Sequence, residues 1–335
     1  MVCNSLAARP KAELHLHMEG AIPLPLLFAM IKRSGDLPGI GSIEDLAARF
    51  SYRDFHHFLY LWAWKNQFIT NERDFEQIAY AVLANARQQN ILYAEMFISP
   101  ADHTPRGLTA EGIIAATLAG CANARRDCGI VTQIIIDLVR DSGLDSGWRS
   151  IEAATPFLGR GVVGIGLGGT EDRFPPDPYR ELFAEARRRG FRLTAHAGEG
   201  AGPASVWAAL DELGAERIGH GTRAIEDGAL MARLRDQQIP LEMCIMSNIR
   251  TGVTANAGSH PIKPFYQNGL VVTVNSDDPV MFGATIADEY RALADDLHLA
   301  FTDIKQIALN GIRASFLTGP HKQDWITRFE QEWAL

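Results

Sequence analysis

Val271-Val272-Thr273-Val274-Asn275-Ser276-Asp277-Asp278-Pro279 is an apolar, β-branched run that stops at two adjacent carboxylates and a proline. Such a run suits a strand buried on both faces, and the charge at its C-terminal end is placed where α/β enzymes build their sites. Read alone, it is equally a strand followed by an ordinary Asp-Asp-Pro turn. The rest of the chain decides between the two.

Working outward, further short apolar segments occur at Glu13–Met18, Ile91–Ile98, Thr132–Val139, Val162–Leu167, Arg192–Ala197, Arg217–Gly221 and Leu241–Met246. Stretches of helical composition lie between them, at Asp74–Gln89, Ala110–Asp127, Tyr179–Arg189, Ala204–Leu213, Asp227–Gln237 and Thr302–Leu317. Alternating strand and helix implies parallel strands with helical crossovers. About eight units in 335 residues predict a (β/α)8 TIM barrel with extra helices after the first strand. An open doubly wound sheet is the alternative, but no GxGxxG follows the first strand. Gly164, Gly166, Gly168 and Gly169 instead fall in and after the fourth, where they suggest close backbone approach to a ligand or a tight strand exit.

The excursion over residues 20–90 exceeds a normal crossover and contains Phe55-His56-His57-Phe58-Leu59-Tyr60-Leu61-Trp62-Ala63-Trp64. Most of these rings are expected to pack within the helical layer, the alternative being that the helix leans over the barrel mouth. His56 and His57 face different ways on a helix and are expected at the surface. No repeat or flexible linker interrupts residues 1–335, so a single domain is expected.

A formal net charge of -8 offers no basic field for nucleic acid, and a small-molecule partner suits it better. Cys3, Cys121, Cys128 and Cys244 form no CxxC pair and are expected as reduced thiols. The first ten residues lack a signal-like apolar core, and no apolar stretch nears the roughly 20 residues of a membrane span, so no membrane partner and a cytoplasmic location are expected. The oligomeric state is left open.

In a barrel, chemistry belongs at the C-terminal ends of the strands. His15 and His17, two apart on the first strand, project to one face. The fifth strand ends His196-Ala197-Gly198-Glu199, the sixth Gly219-His220-Gly221 and the eighth Asp277-Asp278. Three imidazoles and a carboxylate suit zinc, although iron or manganese could occupy a similar set. A water acidified by the metal points to hydrolysis. Glu199, His220 and Asp278 are then left as proton donor, water-orienting base and substrate-orienting carboxylate.

Together, His15-x-His17, His196-Ala197-Gly198-Glu199, Gly219-His220-Gly221 and Ser276-Asp277-Asp278-Pro279 resemble the adenosine and adenine deaminases of the metal-dependent amidohydrolase superfamily, from about residue 11 to beyond residue 290. The resemblance implies one Zn2+ per chain on His15, His17, His196 and Asp277. It implies that Glu199 protonates purine N1 as hydroxide attacks C6, with His220 and Asp277 orienting the hydroxide. Asp278 would hold N7 and the Gly169 backbone N3, and His17 and Glu19 would also meet the substrate.

Adenosine-specific relatives usually carry Asp where this chain has Glu19, as adenine deaminases do. Pro279-Val280-Met281-Phe282-Gly283-Ala284-Thr285 looks more like nucleoside-accepting members, including those acting on aminodeoxyfutalosine. Cys244-Ile245-Met246-Ser247-Asn248 replaces a common Cys-Pro-x-Ser-Asn, with Ser247 and Asn248 expected as scaffold. The expected reaction is adenosine to inosine and ammonia, with adenine or a modified adenine nucleoside such as aminodeoxyfutalosine as the alternative. Another amidohydrolase-type hydrolase and a non-catalytic binding protein are remoter readings. His260, His298 and Arg223 are expected outside the site.

Overall fold

The computed structural model describes residues 6–35 and 37–334. Eight parallel strands follow one another around a barrel in chain order: β1 (Lys11–His17), β2 (Ile91–Ile98), β3 (Val131–Val139), β4 (Val162–Gly168), β5 (Arg192–Ala197), β6 (Arg217–His220), β7 (Leu241–Met243) and β8 (Val272–Val274). The ring is drawn shut where Asp277 N–H donates to His15 O and His17 N–H donates to Asp277 O, each at 3.0 Å. This is the (β/α)8 barrel expected from the alternation of segments, with the extra helices after β1 as expected.

β7 and β8 are shorter than their apolar runs suggest. Glu289 explains the first case: its carboxylate accepts the N–H groups of Ile245 and Met246 at 2.8 and 2.9 Å. A buried carboxyl that accepts these otherwise unpaired N–H groups favours a helix start, so Ile245–Arg250 turns helical where strand was expected. Ser247 and Asn248 therefore sit on a short helix at the barrel mouth. The helix Ile286–Asp295 ends before His298, which is exposed in a loop at φ 52° rather than in a helix.

Below the mouth the barrel interior is charged but paired. Arg217 holds Glu95 and Glu242 at 2.6 Å each, with its guanidinium 3.6 Å from the centre of the Phe316 ring. These ions are fully buried, so each depends on its partner to offset the cost of leaving water. The chain of pairs continues upward, because Glu242 also accepts from His15 Nδ1 at 2.6 Å.

The segment between β1 and β2 carries helices at Leu24–Arg33, Ile43–Arg49, Phe55–Asn66 and Glu72–Gln88. Phe55–Asn66 starts on Asp54, whose carboxylate accepts the His57 N–H. It is pinned over the barrel by Tyr52 Oη, which donates to Met281 O at 2.9 Å, and by Phe58 stacked on Phe282 at 5.0 Å. The aromatic run thus leans over the mouth, and Phe55, Phe58 and Trp62 line the cavity there instead of staying within the helical layer as expected. His56 and His57 are not buried, and His56 lies 3.7 Å from Asp172. No helix among the described residues is long and apolar enough to cross a membrane. Cys121, Cys128 and Cys244 are free thiols, and Cys3 lies outside the described residues.

Candidate active site

A cavity of about 240 Å³ opens at the C-terminal ends of the strands. Its roof is Phe55, Phe58, Leu59 and Trp62 from the aromatic helix, and its floor includes His17, His196, Glu199, His220, Asp277 and Asp278. Gly169 and Asp137 complete the side nearest β3 and β4.

The histidines converge. His196 Nε2 lies 2.9 Å from His15 Nε2 and 3.1 Å from His17 Nε2, and Asp277 Oδ1 is 3.6 and 3.5 Å from the same two rings. Ligand atoms of all four residues lie within 4.8 Å of one another. Burial pushes all three imidazoles below their ordinary pKa, that of His196 to about 4, which keeps the rings neutral. His15 Nδ1 donates outward to Glu242, and His196 Nδ1 donates to Leu167 O at 3.2 Å. Their Nε2 atoms consequently present bare lone pairs to one point beside a carboxylate. That donor set repels itself without a cation and fits a divalent metal. Cys244 overlaps the same neighbourhood, but burial and the nearby Asp277 push its thiol up, so it stays protonated.

His220 has its tautomer set from a distance. Ile262 N–H donates to His260 Nδ1 at 3.3 Å, leaving the proton on His260 Nε2, which donates to Asn248 Oδ1 at 3.0 Å. The Asn248 amide then turns its Nδ2 toward His220 Nδ1 at 3.2 Å and Glu199 Oε1 at 3.4 Å. His220 Nδ1 is an acceptor, and its Nε2–H faces Glu199 Oε2 at 3.5 Å and Asp277 Oδ2 at 3.8 Å. In this tautomer His220 turns an N–H toward Glu199 and Asp277, a placement compatible with orienting a water there. His220 and Asp277 both hold left-handed backbone, at φ 60° and 62°. Such strain in non-glycine residues is typical of functional positions.

Glu199 and Asp278 are both buried acids. Burial, reinforced by Asp277 and Glu171, raises Glu199 well above the carboxylate range; burial and Asp277 do the same for Asp278. Asp278 Oδ1 has no hydrogen-bond partner among the described residues. A methyl group on Gly20 would come within 1.6 Å of that oxygen, so glycine there is what leaves room for Asp278.

The loop carrying Glu199 is held by Glu171, which accepts Gly198 N–H on Oε1 at 2.6 Å. Its Oε2 accepts the N–H groups of Glu199, Gly200 and Ala201 at 3.0, 2.7 and 3.0 Å. Asp141 ties down the neighbouring loop, accepting Thr170 N–H at 2.8 Å and its hydroxyl at 2.6 Å. Gly169, at φ 96°, sits between these anchors with its backbone on the cavity wall.

Glu19 is the departure among the expected substrate contacts. It is fully buried and is not a wall residue; Oε1 accepts Ser99 N–H at 3.0 Å and lies 3.7 Å from His103 Nε2. Burial raises its pKa, but the His103 contact and the Ser99 N–H outweigh that and leave it lowered. Glu19 reaches the cavity through Ser99. Arg223 is ion-paired with Glu226 at the surface, as expected. His260 stays off the cavity wall, as expected, but packs behind it as the partner of Asn248. Its imidazole is buried, and nothing local to His260-Pro261 announces the partner, because Asn248 reaches it only through the fold.

Residues 10–331 match the family model described as adenosine deaminase. A protein named adenine deaminase from Hahella chejuensis is 36% identical over 326 residues, 97% of each chain. Among solved structures, adenine deaminase from Arthrobacter aurescens is 33% identical with a TM-score of 0.90, covering 97% of this chain and 99% of its own. A zinc-bound amidohydrolase from Burkholderia ambifaria is 27% identical with a TM-score of 0.91, covering 99% and 92%.

Proposed function

The chain belongs to the adenosine deaminase family of the amidohydrolase superfamily, a family of hydrolytic deaminases acting on cyclic amidines, and from that premise we propose that its substrate is free adenine, converted to hypoxanthine and ammonia. The observation that carries this reading is the naming of relatives that align along nearly the whole chain: those at 33–37% identity are named adenine deaminase. Glu19 supports it, standing where adenosine-specific relatives usually have Asp. Adenosine, the first expectation from sequence, gives way to the adenine alternative.

His15, His17, His196 and Asp277 would hold the metal, and zinc is the ion the Burkholderia ambifaria structure binds. When bound, such an ion supplies a water acidified toward neutrality. The chain's residues do the rest. Glu199, kept protonated by its surroundings, donates to N1 as a water oxygen bonds to C6. Protonating the ring gives the incoming electron pair somewhere to go, which an aromatic amidine otherwise lacks. His220 Nε2–H orients the attacking oxygen, and Asp277 lies within reach of its proton. Asp278, neutral, donates to N7, and the Gly169 N–H donates to N3. The C6–N bond then breaks, and the amino group leaves as ammonia with a proton returned to it. The aromatic roof excludes bulk water from the ring faces.

The test follows the purine chromophore with metal-loaded protein and adenine, adenosine, 2′-deoxyadenosine and aminodeoxyfutalosine. Adenine is expected to turn over with the highest kcat/KM. Faster turnover of a nucleoside would overturn the proposal. Glu199→Gln is expected to lower kcat on adenine about 100- to 10,000-fold, the range for loss of a positioned acid.

A further inference from the structure

Asp137 lies two residues before the end of β3 and lines the cavity. Its side chain is 4% exposed; Ser99 Oγ donates to Oδ2 at 3.3 Å, and Oδ1 has no hydrogen-bond partner among the described residues. Space has been kept for this carboxyl. A methyl group on Gly168 would lie 2.8 Å from Oδ2, and one on Gly166 would lie 3.2 Å from Oδ1 and 2.7 Å from the Phe97 ring. Neither glycine has positive φ, so backbone conformation does not call for them. Part of the glycine cluster of β4 is explained by what it leaves uncovered.

The order of strands says which edge of the purine Asp137 meets. In the proposed pose, N1 faces Glu199 after β5, N3 faces Gly169 after β4, and N7 faces Asp278 after β8. Going around the ring, N9 comes between N3 and N7. Going around the barrel in the same sense, β3, β2 and β1 come between β4 and β8. The acids of that sector can be sorted by what they already hold. Asp141 accepts both donors of Thr170, and Asp102 accepts Trp62 Nε1 at 2.7 Å and Asn66 Nδ2 at 3.2 Å. Of these three, Asp137 is the one with a buried carboxyl oxygen that has no hydrogen-bond partner among the described residues.

We propose that Asp137 accepts the N9–H of the free base and so sets the preference of this site for an unglycosylated purine. The inference rests on the adenine reading above and deepens it. The 9H form of adenine offers acceptors at N1, N3 and N7 and one ring donor at N9. The site matches this with donors from Glu199, Gly169 and Asp278, and with one acceptor. A nucleoside has carbon on N9, leaving the buried acceptor unpaired and crowded. Burial, then Asp102 and Glu19, push the Asp137 carboxyl well above its ordinary range, and Oδ1, unpartnered while Oδ2 holds Ser99, is the atom placed to accept.

The test compares kcat/KM for adenine and 9-methyladenine in the metal-loaded wild type, Asp137→Ala and Asp137→Asn. The ratio of the two is independent of the fraction of protein that is active, so it is readable even where a variant folds poorly. The wild type is expected to favour adenine by about 100-fold or more, because a site built to bond an N–H rejects the analogue lacking it. In Asp137→Ala the ratio is expected to fall at least tenfold, mainly through loss on adenine, and Asp137→Asn should fall in between. An unchanged ratio in both variants would overturn the assignment. Failure of the wild type to deaminate adenine would instead sink the reading on which it rests.

Discussion

The Glu171 carboxylate accepts the backbone N–H of Glu199 at 3.0 Å, one of four consecutive amides that it gathers. Through this contact the loop after β4 positions the acid after β5. In Glu171→Gln one oxygen becomes an N–H₂ group that meets amide donors head-on. We expect kcat on adenine to fall about 100-fold, as for a small misplacement of a reacting group, with metal content unchanged. Glu171 also helps raise the Glu199 pKa. Glu199 works protonated, so activity is lost as pH rises through its pKa, and the variant should lose it at lower pH. A pH–rate profile of unaltered shape would remove Glu171 from the mechanism.

The adjacent aspartates should separate in a metal assay. Asp277→Asn is expected to lose most of its bound metal on dialysis, together with activity. Asp278→Asn should retain metal and lose at least 100-fold in kcat/KM for adenine, since the group opposite N7 could no longer donate as an acid does. Elemental analysis of the two variants decides; equal metal loss in both would merge their roles.

Asn248 and His260 should matter through the His220 tautomer. We expect His260→Ala to lower kcat about tenfold and Asn248→Ala about 100-fold, the range for weakening one orienting donor. Nitrogen NMR of labelled wild-type protein should find the His220 proton on Nε2. A proton on Nδ1 would contradict the relay, whatever the kinetics.

Glu13 offers a stability test away from the reacting atoms. Burial raises its pKa to about 8, against the opposing effect of hydrogen bonds from Ser276 N–H and Oγ. The folded state therefore holds this proton more tightly than the unfolded chain. Its contribution is complete below about pH 4.5 and is lost as pH rises through about 8, with a slope of at most about 1.4 kcal/mol per pH unit. Glu13→Gln keeps the contacts and removes the titration. Denaturant unfolding of metal-free protein across that window should show wild type losing stability relative to the variant; parallel curves would rule the linkage out.

The barrel and the candidate ligands at its strand ends were legible because both follow short-range rules. Alternation of apolar runs with helical stretches set the strand count, and a period of two put His15 and His17 on one face. What could not be read depends on contacts between distant segments. Glu289 converts the end of an apolar run into a helix from more than 40 residues away. His260 meets its partner Asn248 only through the fold, and Asp137 owes its open flank to two glycines on the next strand. Glu19 was legible as a signal but not in its placement, since only the fold puts Ser99 between it and the cavity.

Phe58 stacks on Phe282 and Tyr52 bonds to Met281, so the aromatic helix is fastened to the turn that begins at Asp278. The roof of the cavity and Asp278 on its floor are thus joined through one short helix, Pro279–Phe282. Roof and floor therefore share one fastening, at the same turn that carries the buried acid.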